Sequence, residues 1–313
     1  MIISTGIRTD IVNHYSDWLL ERFREGFVYT RNPLFPNRVT RYELHPDKVD
    51  AVLFCSKNYE PILSRLTEIT SHYRTFFHYT ITAYGNDIEP NIPPADDRVR
   101  TLQKLSRLVG RERLMWRFDP VFFTDSYPPE RILETFDRLA EQISDYVCGC
   151  SFGFVEAFFT LRTRLPDLLP LDNEIKHDFA RRLFSVAARH SLPLQTCGSN
   201  NTYEEYGIKK SGCYTLDMIG KANGCAFRSA RHLGNRRGCL CITSRDVGWY
   251  DSCPNLCRYC NANHSVAEVH ENIKKHDPHS PLLIGGLNAD DELIDGVQTS
   301  LLRDERQISL FDL

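Results

Sequence analysis

Six short, almost continuously apolar runs in the first two hundred residues constrain the fold of this chain most strongly. They are rich in β-branched, aromatic and leucine residues, as are strands buried on both faces of a parallel sheet. Helix-like segments separate them, and no glycine-rich phosphate loop follows the first run. The pattern predicts an α/β fold of about six βα repeats, a (β/α) barrel or partial barrel rather than an open doubly wound sheet. The runs occupy residues 1–5, 51–56, 76–82, 114–120, 146–153 and 192–198.

The segments between these runs carry the residues that commonly begin and end helices. Asp96 or Asp97, and Asp172, are predicted N-caps, whereas Gly26 and Gly110 are predicted C-caps. An inserted hairpin or loop is predicted at 28–44. The predicted helices occupy residues 15–26, 60–73, 96–110, 129–144 and 172–191.

The composition of the chain changes near residue 199, where polar, Gly-, Asn- and Arg-rich sequence replaces the βα pattern. We therefore predict a barrel core at 1–198 and a loop-rich, cysteine-rich, cluster-binding region at 199–264. A C-terminal segment at 265–313 follows, with a helix predicted at 265–276 and a short strand at 281–286.

The cellular compartment affects how the cysteines are interpreted. The longest apolar runs are far too short to span a bilayer, and the first residues carry no basic segment followed by an apolar stretch. We therefore expect a cytoplasmic protein. In a reducing compartment, cysteines are better explained by metal or cluster binding than by structural disulfides.

The cysteines are concentrated late in the chain. Of the 11, only three lie in the first half, within apolar runs where buried thiols are ordinary. The other eight lie between positions 197 and 260. The segment from 207 to 245, which runs among them, holds eight basic residues and one acidic residue. It is interpreted equally well as a surface for an anionic partner, such as nucleic acid, or as a solvated face beside thiolates.

Polar side chains gather where the predicted strands end, which is where the active sites of barrels form. Arg8, Lys57, Arg117 and Asp119 are the strongest pocket candidates, with no acid or base role assigned among them. Charged residues inside the run WRFDP are costly to bury unpaired. A salt bridge at the barrel rim is the structural alternative for Arg117 and Asp119.

Three cysteines in the stretch DSCPNLCRYC have the spacing C-x₃-C-x₂-C, with Tyr259 before the last. Together with Cys239 and Cys241 they provide enough ligands for zinc. Three close thiolates, however, favour an iron–sulfur cluster with one iron left without a protein ligand. The three candidate ligands are Cys253, Cys257 and Cys260.

This stretch resembles the signature of radical S-adenosylmethionine (SAM) enzymes. The resemblance implies a 4Fe–4S cluster, SAM bound to its open iron, a 5′-deoxyadenosyl radical, and a reductant such as flavodoxin or ferredoxin. Those enzymes usually carry the signature after their first strand, so its late position here is a departure. Gly285 and Gly286 resemble a Gly-Gly-Glu segment that contacts the SAM amino group, although Leu287 replaces the acid.

Nearly the whole chain also resembles a bacterial family, the domain of unknown function numbered eighteen forty-eight. The resemblance implies a C-terminal cysteine cluster similar to that of radical SAM enzymes. It supplies no reaction or substrate. The segments that carry it are IISTGIRTDI, RNP at 31–33, SKN at 56–58, WRFDP at 116–120 and CLCITSRDVGWYDSCPNLCRYCNAN.

Four further cysteines form a second candidate ligand set for a 4Fe–4S cluster or one zinc ion. The alternative is that some are free thiols, and Cys197 is also a candidate hydrogen-atom donor. The four are Cys197, Cys213, Cys239 and Cys241.

The last residues, QISLFDL, resemble the peptides with which bacterial repair and replication proteins bind the DNA sliding clamp. Gln307, Leu310 and Phe311 are the predicted contacts.

The leading interpretation of the whole chain is a radical SAM enzyme. Its substrate is unidentified, and nucleic acid is one candidate. The alternative is a non-catalytic, metal-stabilised protein that binds nucleic acid or the clamp. A metal-dependent hydrolase finds no support, because the strand ends show no His-x-His or matched carboxylate pair.

Overall fold

The computed structural model describes residues 1–156, 159–197, 202–228 and 239–303 of the chain. Its strands, in chain order, are β1 (Ile2–Ser4), β2 (Phe27–Arg31), β3 (Arg38–Glu43), β4 (Ala51–Ser56), β5 (Thr75–Thr80), β6 (Leu114–Val121), β7 (Cys150–Phe154), β8 (Leu194–Cys197), β9 (Lys209–Ser211), β10 (Arg245–Asp246) and β11 (Glu292–Asp295).

Eight of these strands form one parallel sheet in the order β10-β1-β4-β5-β6-β7-β8-β9. Its six central strands overlap the six predicted apolar runs and extend at most one residue beyond them. This confirms an α/β fold built on a parallel sheet. The two edge strands, β9 and β10, were not predicted. They come from the cysteine-rich segment 199–264, so that segment is part of the sheet as well as a source of loops.

A closed barrel is not confirmed, because β9 and β10 are the two edges of the sheet and do not pair with each other in the part of the chain that the structure describes. One backbone hydrogen bond lies between the two edges, where the N–H of Ile242 donates to the carbonyl of Tyr214 at 2.9 Å. It joins the chain shortly after β9 to the chain shortly before β10. The partial barrel and the domain boundary near residue 198 stay predictions.

Helices flank the sheet, and none in the described ranges is long and apolar enough to cross a membrane. The predicted helix at 60–73 is instead two single turns. The helices are α1 (Ile11–His14), α2 (Ser16–Glu25), α3 (Glu60–Leu63), α4 (Thr67–Thr70), α5 (Ala95–Val109), α6 (Pro129–Ile143), α7 (Phe159–Arg164), α8 (Asn173–Arg189), α9 (Leu216–Asn223) and α10 (Val266–Lys274).

Most of the predicted helix caps are confirmed. Asp172 accepts a hydrogen bond from the Ile175 N–H at 2.9 Å at the start of α8. Gly26 ends α2 with a φ of 78°, a left-handed conformation that glycine adopts without strain. The prediction for Asp96 and Asp97 is wrong, because α5 already begins at Ala95. Both carboxylates lie in its first turn, where the helix dipole favours negative charge.

A second, three-stranded sheet confirms the predicted hairpin, since β2 and β3 pair antiparallel. The strand predicted at 281–286 is wrong, because no strand is formed there. Its apolar residues Leu282 and Leu283 are nonetheless buried. The strand that joins the hairpin is β11, which pairs with β3. A short apolar run thus indicated burial and not strand pairing.

Alternate residues of the central strands face two different cores. On the outer face, the ring of Trp116 stacks on Phe136 of α6 with centroids 4.7 Å apart. On the inner face, Leu53 and Phe76 belong to a smaller apolar cluster that includes Ile219 of α9. Toward the carboxyl ends of the strands, charged and polar residues replace this apolar cluster.

Candidate functional site

A cavity of about 240 Å³ lies at the carboxyl ends of the strands. Residues that follow β1, β4 and β7 line it, as does the loop at 253–263. The structure therefore brings the late cysteine motif to the strand ends predicted to form a pocket. The predicted site residues that line the cavity are Arg8, Lys57, Arg117, Asp119, Cys253, Cys257 and Cys260.

The loop that carries the three cysteines follows the edge strand β10 and is fastened at both ends. The carboxylate of Asp251 accepts hydrogen bonds from the N–H groups of His264 and Ser265, the latter at 3.0 Å. The side-chain amide of Asn263 donates to the carbonyl of Cys253 at 2.7 Å and accepts from its N–H at 3.3 Å. These bonds fix the loop as a closed unit.

The three cysteines of this loop are largely shielded from solvent. Cys253 and Cys257 are buried, and Cys260 is half-buried. Burial raises the pKa of the Cys253 thiol well above its ordinary value and that of Cys257 to about 12. A bound metal would reverse this, because coordination deprotonates a thiol. The N–H of Ala262 already donates to the sulfur of Cys260 at 3.3 Å.

Asp10 joins three segments around the cavity. Its carboxylate accepts hydrogen bonds from the Ser56 hydroxyl at 2.6 Å and the Lys57 N–H at 2.9 Å, both at the end of β4. It also accepts from the side-chain amide of Asn255, in the cysteine loop, at 3.0 Å, and it caps α1. Asp10 follows the first predicted run and was not among the pocket candidates, and nothing in the sequence indicated Asn255.

A buried carboxylate, Glu89, contacts the cysteine loop through Tyr259. One of its oxygens accepts hydrogen bonds from the Lys57 ammonium at 2.8 Å, the Thr82 hydroxyl at 2.7 Å and the Tyr259 hydroxyl. Its other oxygen lies 3.7 Å from the guanidinium of Arg98. Burial acts to raise the pKa of Glu89, but Lys57 and Arg98 together hold it below its ordinary value. Glu89 is therefore a charged anchor for Tyr259, the aromatic residue of the motif.

Arg117 and Asp119 line the cavity and also pair with each other. The salt bridge that the sequence offered as an alternative to a pocket is thus present in addition to it. Arg117 also donates to the sulfur of Cys55 at 3.5 Å. Burial acts to lower the pKa of Arg117, but Asp119 holds it above its ordinary value. Arg117 therefore keeps its charge at the cavity wall.

Arg8 faces a buried carboxylate of β10. Its guanidinium lies 3.8 Å from Asp246, whose side chain is 4% exposed. The N–H of Ile7 donates to Asp246 at 3.1 Å. Burial nevertheless raises the pKa of Asp246 from 3.8 to about 6, because these partners only partly replace water.

Replacing Asp246 with Asn is expected to change how stability depends on pH. The folded chain holds this proton more tightly than the unfolded chain, so the carboxyl stabilises the fold at low pH. That contribution falls by about 3 kcal/mol as the pH rises from about 4 to about 6. We compare the free energy of unfolding of the variant with that of the parent chain, both measured in urea. On going from pH 4 to pH 7, this difference should shift in favour of the variant by about that amount. A difference independent of pH would contradict the assignment, and Asp217→Asn, which is exposed, is the control.

The second cysteine group does not line this cavity. The sulfurs of Cys197, Cys213 and Cys241 all lie within 4.8 Å of one another. Cys197 and Cys213 are joined as a disulfide. Cys197 is therefore not brought to the cavity as a hydrogen-atom donor. The thiol outside the motif that does line the cavity is Cys55.

Other predicted residues lie elsewhere. Gly285 and Gly286 line a separate cavity of about 340 Å³ beside α10, so the structure does not bring them to the cysteine loop. The glycine pair was proposed only because it follows the cysteine motif in the sequence. Sequence order alone does not show which residues lie close together in the fold. The predicted clamp contacts Gln307, Leu310 and Phe311 lie outside the described residues.

Comparison with known proteins gives a family without an assigned activity. The family described as "Domain of unknown function (DUF1848)" matches residues 2–262, a range that includes the whole parallel sheet and all three motif cysteines. No curated protein matches. One solved structure that matches is titled "Crystal structure of Streptococcus suis SuiB bound to S-adenosylmethionine", with 10% identity and a TM-score of 0.28. The match covers 71% of this chain and 45% of that one, and a TM-score this low establishes no common fold.

Proposed function

We propose that this chain, which belongs to the DUF1848 family, is an iron–sulfur enzyme that reductively cleaves SAM in the cavity at its strand ends. The observation that carries the proposal is the position of the cysteine loop. Cys253, Cys257 and Cys260 line the same cavity as Arg8, Lys57 and the Arg117–Asp119 pair. They come from the far end of the sequence, yet the loop directly follows a strand of the sheet, β10.

The residues present fit a 4Fe–4S cluster. The donors are three thiols, the soft ligands that such clusters take. In the part of the chain that the structure describes, their sulfurs do not all lie within 4.8 Å of one another. Thiolates that share one tetrahedral zinc, with bonds of about 2.3 Å, lie about 3.8 Å apart. Wider spacing suits thiolates that bind different irons of one cluster.

When bound, the cluster and SAM together supply a 5′-deoxyadenosyl radical that removes a hydrogen atom from a substrate. The residues of the chain hold and orient the ligand. Each cation at the cavity has a carboxylate partner: Arg8 has Asp246, Lys57 has Glu89 and Arg117 has Asp119. Such paired charges favour a zwitterion, with one ammonium and one carboxylate, over a strongly charged ligand.

The substrate and the partners belong to the same proposal. Nucleic acid is the first substrate class to test, because the described part of the basic segment includes Lys209 and Lys210 at the edge strand β9. The electron donor would be of the flavodoxin or ferredoxin type. Sliding-clamp binding through the C-terminal residues is a further, separate proposal.

The test begins with protein purified and reconstituted without oxygen. Iron and sulfide are counted, and the reduced protein is then given SAM. We expect about four irons at the motif and the formation of 5′-deoxyadenosine. Addition of DNA or RNA should raise the rate if either is the substrate. A chain that takes up zinc alone, forms no cluster and binds nucleic acid in a salt-sensitive way would overturn the proposal and favour the non-catalytic alternative.

A further inference from the structure

We infer that Cys197, Cys213, Cys239 and Cys241 bind one zinc ion that fastens the two edges of the parallel sheet to each other. This inference stands apart from the proposed SAM chemistry, because none of the four cysteines lines that cavity. It selects zinc over a second iron–sulfur cluster and gives the ion a structural role.

The spacing of the sulfurs argues for a single ion. Three of them lie within 4.8 Å of one another. Thiolates around one tetrahedral zinc lie about 3.8 Å apart, a separation that fits within this limit once the Cys197–Cys213 bond is reduced. Thiolates that bind separate irons of one cluster are necessarily farther apart, because the irons themselves are separated. The group is also sheltered from water, since Cys197 and Cys213 are buried and Cys241 is half-buried.

Cys239 supplies the fourth ligand. It lies two residues before Cys241, and the N–H of Cys241 donates to its sulfur at 3.4 Å. The N–H of Cys213 in turn donates to the sulfur of Cys241 at 3.1 Å. Backbone N–H groups directed at sulfur stabilise thiolates, and structural metal sites commonly hold their ligands in this way.

A disulfide explains only part of this arrangement. The bond between Cys197 and Cys213 uses two sulfurs. It does not explain why Cys241 lies within 4.8 Å of both, or why Cys239 lies against Cys241. A thiol reductant of a reducing compartment would supply the two electrons that break the Cys197–Cys213 bond, and all four cysteines could then lose their protons and bind zinc as thiolates. Zinc bound by cysteines in a closed tetrahedron contributes to folding.

The position of the site gives the ion its role. Cys197 ends β8, Cys213 follows β9 by two residues, and Cys239 and Cys241 precede β10. Since β9 and β10 are the edges of the sheet, the ion would connect segments that the strand hydrogen bonds leave apart. The two backbone segments that carry these cysteines already lie close together, because a Cβ added to Gly212 would lie 2.6 Å from the carbonyl of Leu240.

The site is also connected to the interior of the sheet. Tyr214, the neighbour of Cys213, donates its hydroxyl to the carbonyl of Phe54 in β4 at 2.9 Å. Its ring lies 4.3 Å from that of His78 in β5. Loss of the ion should therefore loosen the inner face of the sheet as well as its edges.

The experiment measures zinc in the full chain purified under reducing, oxygen-free conditions. We expect about one zinc per chain. Cys213→Ser and Cys241→Ser should lose it, whereas Cys148→Ala, a half-buried thiol outside both groups, should keep it. Cys257→Ala should also keep its zinc while losing the other cluster, so the two proposals can fail separately.

Two measurements on the unaltered chain keep the inference testable if the serine variants do not fold. Replacement of zinc by cobalt should give the intense visible absorption of a tetrahedral thiolate site. Removal of zinc with a chelator should lower the unfolding temperature. A Cys197–Cys213 disulfide that persists in protein purified under these reducing, oxygen-free conditions would overturn the inference, and so would a second set of irons that Cys241→Ser removes.

Discussion

The Cys257→Ala variant is expected to form 5′-deoxyadenosine from SAM more than about 100-fold more slowly than the parent chain. Loss of a group that merely orients a metal ligand costs about 10–100-fold, and loss of a ligand itself should cost more. Cys257 is one of two buried thiols in the loop, and alanine leaves only Cys253 and Cys260. The other cavity thiol, Cys55, is held by Arg117 at 3.5 Å. Chromatographic quantification of 5′-deoxyadenosine, together with iron content, measures the effect.

Cys148→Ala is the matched control for this variant. It also removes one thiol, but the N–H of Cys148 donates to the carbonyl of Leu114 at the start of β6, the end of the sheet opposite the cavity. We expect it to retain iron and activity. If Cys257→Ala formed deoxyadenosine as fast as the control, the motif cysteines would not be the site of SAM cleavage.

Replacing Glu89 with Ala is expected to lower the free energy of unfolding by about 3–5 kcal/mol. The substitution leaves the ammonium of Lys57 and the guanidinium of Arg98 without their carboxylate, and the Arg98 side chain is 3% exposed. Uncompensated charges at such burial are far more costly than the loss of a hydrogen bond alone. Urea unfolding measures the difference.

Two variants decide whether charge is the cause. Glu60→Ala removes a carboxylate that pairs with Lys104 at the surface, both about half exposed, and should cost no more than about 1 kcal/mol. The double variant Glu89→Ala/Lys57→Met should be more stable than Glu89→Ala alone, because one unpaired charge is removed with its partner. Equal costs for Glu89 and Glu60 would contradict the role of Glu89 as a buried anchor.

The sequence predicted the centre of the sheet and missed its edges, for a physical reason. Buried strands such as β4 must be apolar on both faces, and this composition is visible in the sequence. The edge strands β9 and β10 have the sequences KKS and RD. They are strands only because a neighbour is available to pair with them, and composition does not encode that neighbour.

The candidate site also has a part that the sequence predicted and a part that it did not. The spacing of Cys253, Cys257 and Cys260 marks a ligand set without any knowledge of the fold. Glu89 and Asn255 were missed, because their roles depend on partners from distant parts of the chain. Asn255 bonds to Asp10, 245 positions earlier. A single polar residue in a loop carries no signal of such a contact.

The pairing of β10 with β1 determines when, during translation, the sheet and the cavity can be completed. Ile3 lies opposite Arg245, so one side of β1 stays unpaired until residues some 240 positions later have been synthesised. Contacts this distant in sequence form slowly, because a long loop must close before they gain anything. The cavity therefore cannot form before the loop at 253–263 has been synthesised, and any metal cluster must be delivered to the cysteine loop after that point.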